Sequence, residues 1–457
     1  MIKTKQSLSA LALCMMLSAC ASLDNRELSE SALETTGQNL VWQEQDSNAI
    51  NATQLTDLVN INAIPHMSSF IEEALNNNAN LQQTLITLRK AQVAIDSKEA
   101  DDNINLGINV NANKVEQEDT NYTSNFNISW ELDLWQKIND GISAANFQAA
   151  SAKANYQAAR DSLVANVIRS YIDVLTQQQL LKIEQERLDV LENNQEIILN
   201  RYRTGLGSLD DLDNARTSSA NTRSSIAQYE YTLATAKRTL AVLLGRQDQT
   251  LNELATESEF PDVLLPLATL PKQDLARRPD LQAAYYTLKA SEYNVDVAYK
   301  SLLPSINLSA ALTDSANSPT EALFTNPVWS LLGQITAPLF QGGALRAQID
   351  DAKLSSLNAW WQYRETLLNA VQETQNTLDN ERTLAQRITH TATAIENAER
   401  SVETTAGNYR QGLADILDLL SVYNTRFNLQ LQQVQLQASQ LQNRIDLGLA
   451  LGLGVSQ

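Results

Sequence analysis

The chain is long, acidic and poor in residues that interrupt regular structure. It has 457 residues, and its 34 basic and 53 acidic side chains give a formal net charge of −19. This balance argues against nucleic acid as a partner and against a basic lipid-binding patch. Only 14 glycines and 9 prolines occur, whereas average usage would give roughly 32 and 23, so long helices are expected.

Residues 1–19 are predicted to be a secretory signal peptide. A basic start precedes an uncharged, mostly apolar run that is shorter than the about 20 residues a membrane helix needs. The run ends in LSAC, which resembles the lipobox of bacterial lipoproteins and predicts a covalent lipid on Cys20. An incidental cysteine is the alternative. Ala21 follows Cys20, at the position where enteric lipoproteins that stay in the inner membrane carry an aspartate. An outer-membrane lipoprotein is therefore expected.

Two long stretches predict long, packed helices. The chain has neither glycine nor proline between Gly141 and Gly205, nor between Gly343 and Gly407. Helices of this length would extend about 95 Å at 1.5 Å per residue. Apolar residues recur every seven positions, as in left-handed coiled coils; they are Val167, Val174, Leu181 and Leu188 in the first stretch, and Ile388, Ile395, Val402 and Tyr409 in the second.

The second half of the chain repeats the first. RYRTGLGSLDDLDNAR begins at Arg201, and NYRQGLADILDLLSVY begins at Asn408, 207 residues later. The glycines that end the following helices, Gly245 and Gly452, keep the same offset. This regularity indicates an internal duplication, and each half predicts helix, strand, strand, very long helix and long helix.

The duplication divides the chain into five segments. They are the signal peptide at 1–19, a lipidated N-terminal segment at 20–64, a first repeat at 65–247, a connecting segment at 248–272 and a second repeat at 273–457. Pro65 and Pro279 suit the first position of a helix, and Arg277 and Arg278 are expected to pack the helix that Pro279 begins.

Four segments alternate apolar and polar residues, which predicts strands with one apolar and one polar face. They are residues 103–113, 125–134, 304–312 and 328–339. Such strands are typical of a transmembrane barrel with lipid outside and water inside. A soluble sandwich is the alternative, but the chain offers no further strands to build one.

The predicted strands also bear on assembly and on the membrane boundary. Four strands cannot close a barrel, and an open edge in lipid leaves backbone groups unsatisfied, so two or more copies must pool their strands. Trp130 and Trp135 are expected at a membrane interface, although Trp135 could instead pack where the strand becomes a helix.

Three motifs carry a resemblance to a known family: SWELDLWQKI from Ser129, LARRPDL from Leu275 and PLFQGGALRAQI from Pro338. With the duplication and the lipobox, they resemble outer-membrane efflux proteins of the TolC type, in the NodT-like lipoprotein branch. The resemblance implies a mainly α, duplicated fold. Four transmembrane strands per chain would pool in a homotrimeric, twelve-stranded barrel, and long coiled helices would form a tunnel through the periplasm.

The resemblance also implies partners and site residues. The partners are outer-membrane lipid, a periplasmic adaptor protein and an inner-membrane efflux transporter, commonly of the resistance-nodulation-division class. Gly205 and Gly412 would turn the chain at the periplasmic tips, Asp211 and Asp418 would line the closed entrance, and Tyr409 would help to restrain it. The alternatives are helix stabilisation by the aspartates and a core position for the tyrosine.

The predicted function is a passive exit duct of a tripartite efflux system, without enzymatic activity. The only histidines, His66 and His390, lie far apart in the sequence, and no nucleophile or phosphate-binding motif is present. Two alternatives remain: a non-conducting structural coiled-coil lipoprotein, or a duct for type I polypeptide secretion. Apart from the lipid on Cys20, no cofactor is predicted. The residues do not indicate a substrate.

Overall fold

The computed structural model describes residues 27–37, 66–117, 119–248, 251, 260–261 and 275–454. The predicted signal peptide, Cys20, Pro65 and most of the connecting segment lie outside these residues. None of the described helices carries an apolar stretch long enough to cross a membrane.

The described chain is mainly helical, with four strands inserted between the helices. In chain order the elements are α1 (Glu27–Gly37), α2 (Met67–Asn77), α3 (Ala79–Glu99), β1 (Asn105–Asn113), β2 (Asn121–Leu132), α4 (Lys137–Arg203), α5 (Leu209–Leu243), α6 (Pro279–Lys300), β3 (Ser305–Ala316), β4 (Val328–Thr336), α7 (Ala344–Arg410) and α8 (Ile416–Ala450). Short 3₁₀ helices, Ala100–Asp102 and Leu275–Arg277, precede β1 and α6.

The long helices repeat with the spacing seen in the sequence. α4 and α7 each have 67 residues and begin 207 residues apart, at Lys137 and Ala344. α5 and α8 each have 35 residues and begin at Leu209 and Ile416, again 207 residues apart. The predicted long helices are confirmed, and their equal lengths support the duplication.

The chain forms two compact units, and each contains segments of both repeats. The first unit consists of residues 1–38, 87–153 and 282–366, and it includes the four strands. The second consists of residues 39–86, 154–281 and 367–457, and it includes the turns that follow α4 and α7. The repeats are therefore not independent domains, because each compact unit draws on both.

The strands form one antiparallel sheet in the order β1-β2-β3-β4. Their bounds differ slightly from the expected ones. β2 begins at Asn121, four residues earlier than expected, and β4 ends at Thr336, before the proline-containing connection to α7. Proline cannot donate a ladder hydrogen bond, and Pro338 stands in that connection.

The first helix of the first repeat differs from the expected single helix. It begins at Met67, after His66 in the left-handed conformation (φ 62°), and it is interrupted at Asn78. The Asn78 side-chain oxygen accepts hydrogen bonds from the backbone N–H groups of Asn80 and Leu81, both at 3.1 Å. Asn78 thus caps α3 in the manner typical of asparagine.

A core of the second unit lies where α2, α4, α5 and α8 meet. Phe70, Tyr171, Leu240 and Ile445 are each at most 1% exposed, and the Phe70 and Tyr171 ring centroids lie 6.3 Å apart. Burying a large apolar side chain stabilises a fold by roughly 1.5–3 kcal/mol, so this cluster holds the four helices together.

Helix α1 packs within the first unit. The backbone N–H of Ser29 donates to the Glu292 carboxylate of α6 at 2.9 Å, and the Tyr363 hydroxyl of α7 donates to the Ala32 carbonyl at 3.1 Å. Ala32 is fully buried and Glu292 is 3% exposed. The predicted N-terminal segment, residues 20–64, therefore includes a short helix anchored to two others.

Candidate functional site: a two-faced sheet and two helical tips

The four strands of the first unit align their large apolar side chains in rows. Ile108 lies opposite Phe126, Phe126 opposite Leu312, and Leu312 opposite Trp329. A second row consists of Leu106, Ile128, Ala310 and Leu331. Paired residues of neighbouring strands project to the same face of a sheet, so the two rows form an apolar band on one face. Ser124 and Asp314, which lie opposite each other, are polar exceptions on this face.

This apolar face is exposed in the single chain. Ile108 is 63% exposed, Trp329 76% and Leu331 75%. An apolar surface of this extent on a sheet is typical of contact with lipid or with another protein.

The opposite face of the sheet is mainly polar. One row consists of Asn109, Asn125 and Thr313, and another of Asn111, Thr123 and Ser315. The hydroxyl groups of Thr123 and Ser315 are hydrogen-bonded at 3.1 Å. Val328 and Leu332 of β4 are apolar exceptions on this face. Glu131 is the charged member of this face. A face made mostly of amides and hydroxyls is suited to contact with water.

β1 and β4 form the two edges of the sheet within one chain. Every backbone N–H and C=O in hydrocarbon must be paired, because each unsatisfied group costs several kcal/mol. A sheet that presents an apolar face to lipid therefore needs further strands at both edges.

The two tryptophans take different positions. Trp130 belongs to β2, is 37% exposed, and donates from its indole nitrogen to the Asp102 carbonyl at 3.0 Å. Trp135 lies between β2 and α4 and donates to the Pro304 carbonyl at 2.6 Å. Trp135 thus packs where the strand becomes a helix. A location of either tryptophan at a membrane interface stays a prediction.

In the second unit, two matched turns connect the long helices. We call residues 204–208 and 411–415 the helical tips. Gly205 and Gly412 adopt left-handed φ angles of 74° and 75°, which glycine adopts without strain. Each turn closes with the same bond, from Leu206 N to the Arg201 carbonyl and from Leu413 N to the Asn408 carbonyl, both at 2.8 Å. The predicted turns thus share one geometry.

The two predicted entrance aspartates both cap helices. Asp211 accepts a hydrogen bond from Ser208 N at 3.3 Å, and the Ser208 hydroxyl accepts one from Asp211 N at 3.0 Å. Asp418 accepts from Asp415 N at 3.2 Å. These reciprocal contacts are capping boxes at the starts of α5 and α8. The geometry therefore gives both aspartates a structural contact, and it leaves their predicted position at an entrance untested.

Tyr409, near the end of α7, is connected to the end of α4 by Arg201, which was not among the predicted site residues. Arg201 donates to the Tyr409 hydroxyl at 2.9 Å, and its guanidinium carbon lies 5.4 Å from the tyrosine ring centroid. Tyr409 also packs partly against the cluster around Leu212 and Leu419. Its counterpart Tyr202 is 41% exposed, so the two matched tyrosines have different surroundings.

The sequence contains one weak indication that Arg201 has a particular role. Arg201 corresponds to Asn408 in the second repeat, so the ends of α4 and α7 differ at the position that donates the hydrogen bond to Tyr409. A comparison of the repeats for their differences, rather than for their similarities, could have singled it out.

Polar and ionisable side chains connect α4 to α8. Arg169 forms an ion pair with Asp446, and Arg187 donates to the Asn424 side chain at 2.6 Å. Asp173 accepts from Gln442 at 2.6 Å. Burial raises the pKa of the Asp173 carboxyl, because removal from water disfavours its charged form. The contact between α4 and α8 is thus more polar than the apolar seam of an ordinary coiled coil.

The histidines do not form a metal site within the described residues. His66 precedes α2, and His390 lies on α7. In the part of the chain that the structure describes, no group of three or more His, Cys, Asp or Glu side chains is placed to hold a metal ion.

Comparisons with known proteins agree with a chain that has a two-faced sheet and long helices joined at the helical tips. Residues 70–246 and 270–453 match the family described as outer membrane efflux protein. The probable outer membrane lipoprotein SilC of Salmonella typhimurium is 27% identical over 415 residues, which cover 89% of this chain and 90% of SilC. The pyoverdine export outer membrane protein OpmQ of Pseudomonas aeruginosa is 25% identical over 467 residues, which cover 98% and 97%.

The fold also matches a solved structure. The outer-membrane channel OprN superposes with a TM-score of 0.81 at 22% identity, covering 90% of this chain and 94% of OprN. The predicted fold class is confirmed: a mainly α, duplicated chain whose four strands pool in a trimeric, twelve-stranded barrel. The family consists of channel proteins of the outer membrane. This chain belongs to the outer membrane efflux protein family, and it forms the outer-membrane channel of a tripartite efflux system that extends into the periplasm.

Proposed function

We propose that the channel is a passive exit duct without enzymatic activity. Its substrates would come from a periplasmic adaptor and an inner-membrane transporter of the resistance-nodulation-division class. One observation carries the passive-pore part of this proposal: the sheet presents aligned rows of aliphatic and aromatic residues on one face, most exposed on β1 and β4, and rows of asparagine, serine and threonine on the other. In a closed barrel the first face meets lipid and the second lines a water-filled bore.

The anchoring of the duct follows from its predicted lipidation. Cys20 would carry the lipid, and helix α1 begins seven residues later, at Glu27. The similarity to a probable lipoprotein supports this assignment. The lipid on Cys20 would hold the N-terminal segment at the membrane, in addition to the barrel.

The helical tips are the proposed docking site for the adaptor. Leu206 and Leu413, at equivalent positions of the two tips, are 72% and 73% exposed, and Leu209 and Leu417 follow at 50% and 45%. Exposed leucines rimmed by polar residues are typical of a protein interface. Three subunits would present six such tips to the adaptor.

The tips are also the proposed entrance. Threefold symmetry would repeat Asp211 and Asp418 three times each, and clustered carboxylates raise the local concentration of cations. Within one subunit, the Arg201–Tyr409 hydrogen bond connects the end of α4 to the end of α7. We propose that this bond holds the two tips in a closed arrangement, and that an adaptor opens the entrance by binding the open arrangement better.

Conductance of the purified trimer in planar bilayers tests the proposed entrance. Tyr409→Phe removes the hydroxyl that accepts from Arg201 but keeps the ring. Because the closed arrangement is then weakened, the conductance of the purified trimer is expected to rise at least twofold. Tyr202→Phe makes the same change at the matched position of the other repeat, where the ring is 41% exposed, and is expected to leave conductance unchanged. Equal conductance of both variants and the wild type would remove Tyr409 from the entrance.

The cargo is not assigned by these features. OpmQ is named for pyoverdine, but the described polar face of the sheet consists mostly of asparagine, serine and threonine, with Glu131 as a charged exception, and such a face fits many solutes. In this proposal, the inner-membrane transporter selects the substrate, and the duct supplies the path by which the substrate crosses the outer membrane.

A further inference from the structure

Glu131 is the one charged side chain on the polar face of the four described strands. It lies in β2 opposite Asn307 of β3, and Asn307 lies opposite Gln334 of β4. Glu131 stands one residue before the end of β2, where the sheet leads into the helices. Because β2 and β3 are the central strands of the sheet, the strand neighbours of Glu131 come from its own chain.

Lys137 neutralises the charge of Glu131. The ammonium of Lys137, the first residue of α4, donates to the Glu131 carboxylate at 2.7 Å, and both side chains are 32% exposed. We call Glu131 and Lys137 the junction pair. An ion pair with this much exposure to water contributes little to stability. Its larger consequence is its effect on the electrostatic potential around it.

The junction pair lines a cavity of about 660 Å³ at the base of the sheet. Two further ionisable side chains line this cavity, Asp133 and Lys300, and both have other partners. Asp133 accepts from Asn139 N at 2.8 Å, in the first turn of α4, where a carboxylate complements the positive end of the helix. Lys300 forms an ion pair with Asp140. The charge balance of the cavity therefore depends on the junction pair.

In the trimeric barrel the junction pair occurs three times. Twelve strands about 4.8 Å apart and tilted by about 40° enclose a backbone cylinder roughly 24 Å across. The potential of an exposed charge extends about 10 Å into a solution of 0.1 M salt. Three unmatched charges would therefore influence the whole cross-section of the bore, whereas three matched pairs would not.

We infer that the junction pair sets the electrostatic potential of the bore where the barrel meets the helical tunnel, and keeps it near neutral for solutes of either charge. The inference rests on the proposed water-filled bore. The remaining side chains on the polar face of the described strands are uncharged, so the pair determines the sign. Loss of the lysine charge favours cations in the bore, and loss of the glutamate charge favours anions.

Charged thiol reagents test the inference at a reporter cysteine in detergent-solubilised trimers. Asn307→Cys places a thiol directly opposite Glu131, where Cβ atoms are about 4.5–5.5 Å apart. The measured quantity is the ratio of its modification rates by a cationic and an anionic methanethiosulfonate of similar size. In about 0.1 M salt, adding Glu131→Gln to the reporter chain is expected to lower this ratio at least threefold, and adding Lys137→Gln to raise it at least threefold.

Two further variants and the salt concentration serve as controls. Glu131→Gln combined with Lys137→Gln removes both charges and is expected to restore the ratio of the reporter chain. Glu30→Gln, at an exposed position of α1, is expected to leave the ratio unchanged. In 1 M salt, where the screening length falls to about 3 Å, all differences are expected to shrink. A ratio that ignores both single substitutions, or moves in the same direction in both, overturns the inference.

A cysteine on the other face separates failure of this inference from failure of the proposed bore. Ile306 is adjacent to Asn307 and lies opposite Leu132 on the apolar face, so detergent is expected to shield Ile306→Cys from both charged reagents. If Asn307→Cys reacts no faster than Ile306→Cys, the water-filled bore is contradicted and the inference falls with it. If Asn307→Cys reacts faster but its rate ratio ignores the junction pair, the inference alone is contradicted.

A second measurement covers the case in which a single substitution prevents trimer assembly. Lys137→His keeps a cation beside Glu131 at about pH 5.5 and loses it by about pH 8.5, since the ordinary pKa of histidine is about 6.5. In trimers purified at the lower pH, the rate ratio at Asn307→Cys is expected to rise at least threefold as the pH is raised. With lysine at position 137 it is expected to stay within twofold. Equal pH responses of the two chains would contradict the inference.

Discussion

Asn78 and Arg278 make the same contact in the two repeats. The Asn78 amide donates to the carbonyl of Leu243, the last residue of α5, at 3.0 Å. The Arg278 guanidinium donates to the carbonyl of Ala450, the last residue of α8, at 3.1 Å. Leu243 and Ala450 are 207 residues apart, so the duplication extends to a tertiary contact. Arg278 also pairs with Asp280 and Glu373, in agreement with its expected role in packing α6.

The glycine beside this contact should be more sensitive to substitution than the glycine at a tip. Gly245 and Gly205 have nearly equal φ angles of 76° and 74°. A Cβ on Gly245 would lie 2.6 Å from the Asn77 carbonyl oxygen, whereas a Cβ on Gly205 would meet no atom within 4 Å. Gly205→Ala should lower the free energy of unfolding by about 1–2 kcal/mol, because alanine is strained in the left-handed backbone conformation.

Gly245→Ala should lower the free energy of unfolding clearly more than Gly205→Ala does, because the Asn77 backbone must also move. The midpoints of thermal unfolding of the two purified variants compare the costs directly. Equal midpoints would show that the close approach at Asn77 relaxes without strain.

A buried ion pair between α7 and α8 should be costly to break. Glu381 and Arg444 side chains are 3% and 4% exposed and lie 2.9 Å apart. Glu381→Ala leaves the guanidinium buried without its partner, which typically costs about 3–5 kcal/mol. Asp379→Ala breaks an exposed pair with Arg382 on the same helix, worth about 0–1 kcal/mol. Chemical denaturation followed by circular dichroism measures both, and a small effect of Glu381→Ala would indicate that water reaches Arg444.

The Glu73–Arg246 pair should make stability depend on pH. Arg246 donates two hydrogen bonds to the Glu73 carboxylate, at 2.6 and 2.7 Å, and they hold the pKa of Glu73 below its ordinary value. Because the folded-state pKa is the lower one, the stabilisation is present above the unfolded-state pKa and is lost as the pH falls through the folded-state pKa.

Glu73→Gln should therefore destabilise the protein by about 1 kcal/mol at neutral pH, and the difference from wild type should disappear in acid. Unfolding midpoints measured from pH 7 down to pH 3 check this dependence. Glu72→Gln, at the exposed neighbouring position, should change little at any pH. A gap between Glu73→Gln and wild type that persists in acid would point to lost packing instead of lost charge.

The charge and the capping contact of Asp418 can be separated. Asp418→Asn removes the charge but keeps an oxygen that can accept from Asp415 N, while Asp418→Ala removes both. If the carboxylates line the entrance, Asp418→Asn should lower the cation-to-anion permeability ratio at least twofold, because a ring of three charges is lost. Asp379→Asn, an exposed acid on α7, supplies the control for net charge. An unchanged ratio in Asp418→Asn would leave the residue with its capping role alone.

Local sequence patterns predicted the long helices and the strands. The features that they did not predict depend on contacts between residues far apart in the sequence. The alternation around Ile108 and the glycine-free stretches after Gly141 and Gly343 depend only on neighbours in sequence, so β1, α4 and α7 could be predicted. Asparagine at position 78 is a local capping signal, but its hydrogen bond to the Leu243 carbonyl, 165 residues away, could not be predicted. The Arg201–Tyr409 and Glu381–Arg444 contacts likewise join residues that only the packing of the helices brings together.

The division between lipid and water across the sheet is the central claim, and the collision accessibility of spin labels in reconstituted trimers tests it most directly. Labels at Ile108 and Leu331 should be relaxed mainly by lipid-soluble oxygen, and labels at Asn109 and Asn125 mainly by a water-soluble nickel chelate. The same response at all four positions, or the opposite assignment of the two faces, would contradict a water-filled bore bounded by these strands.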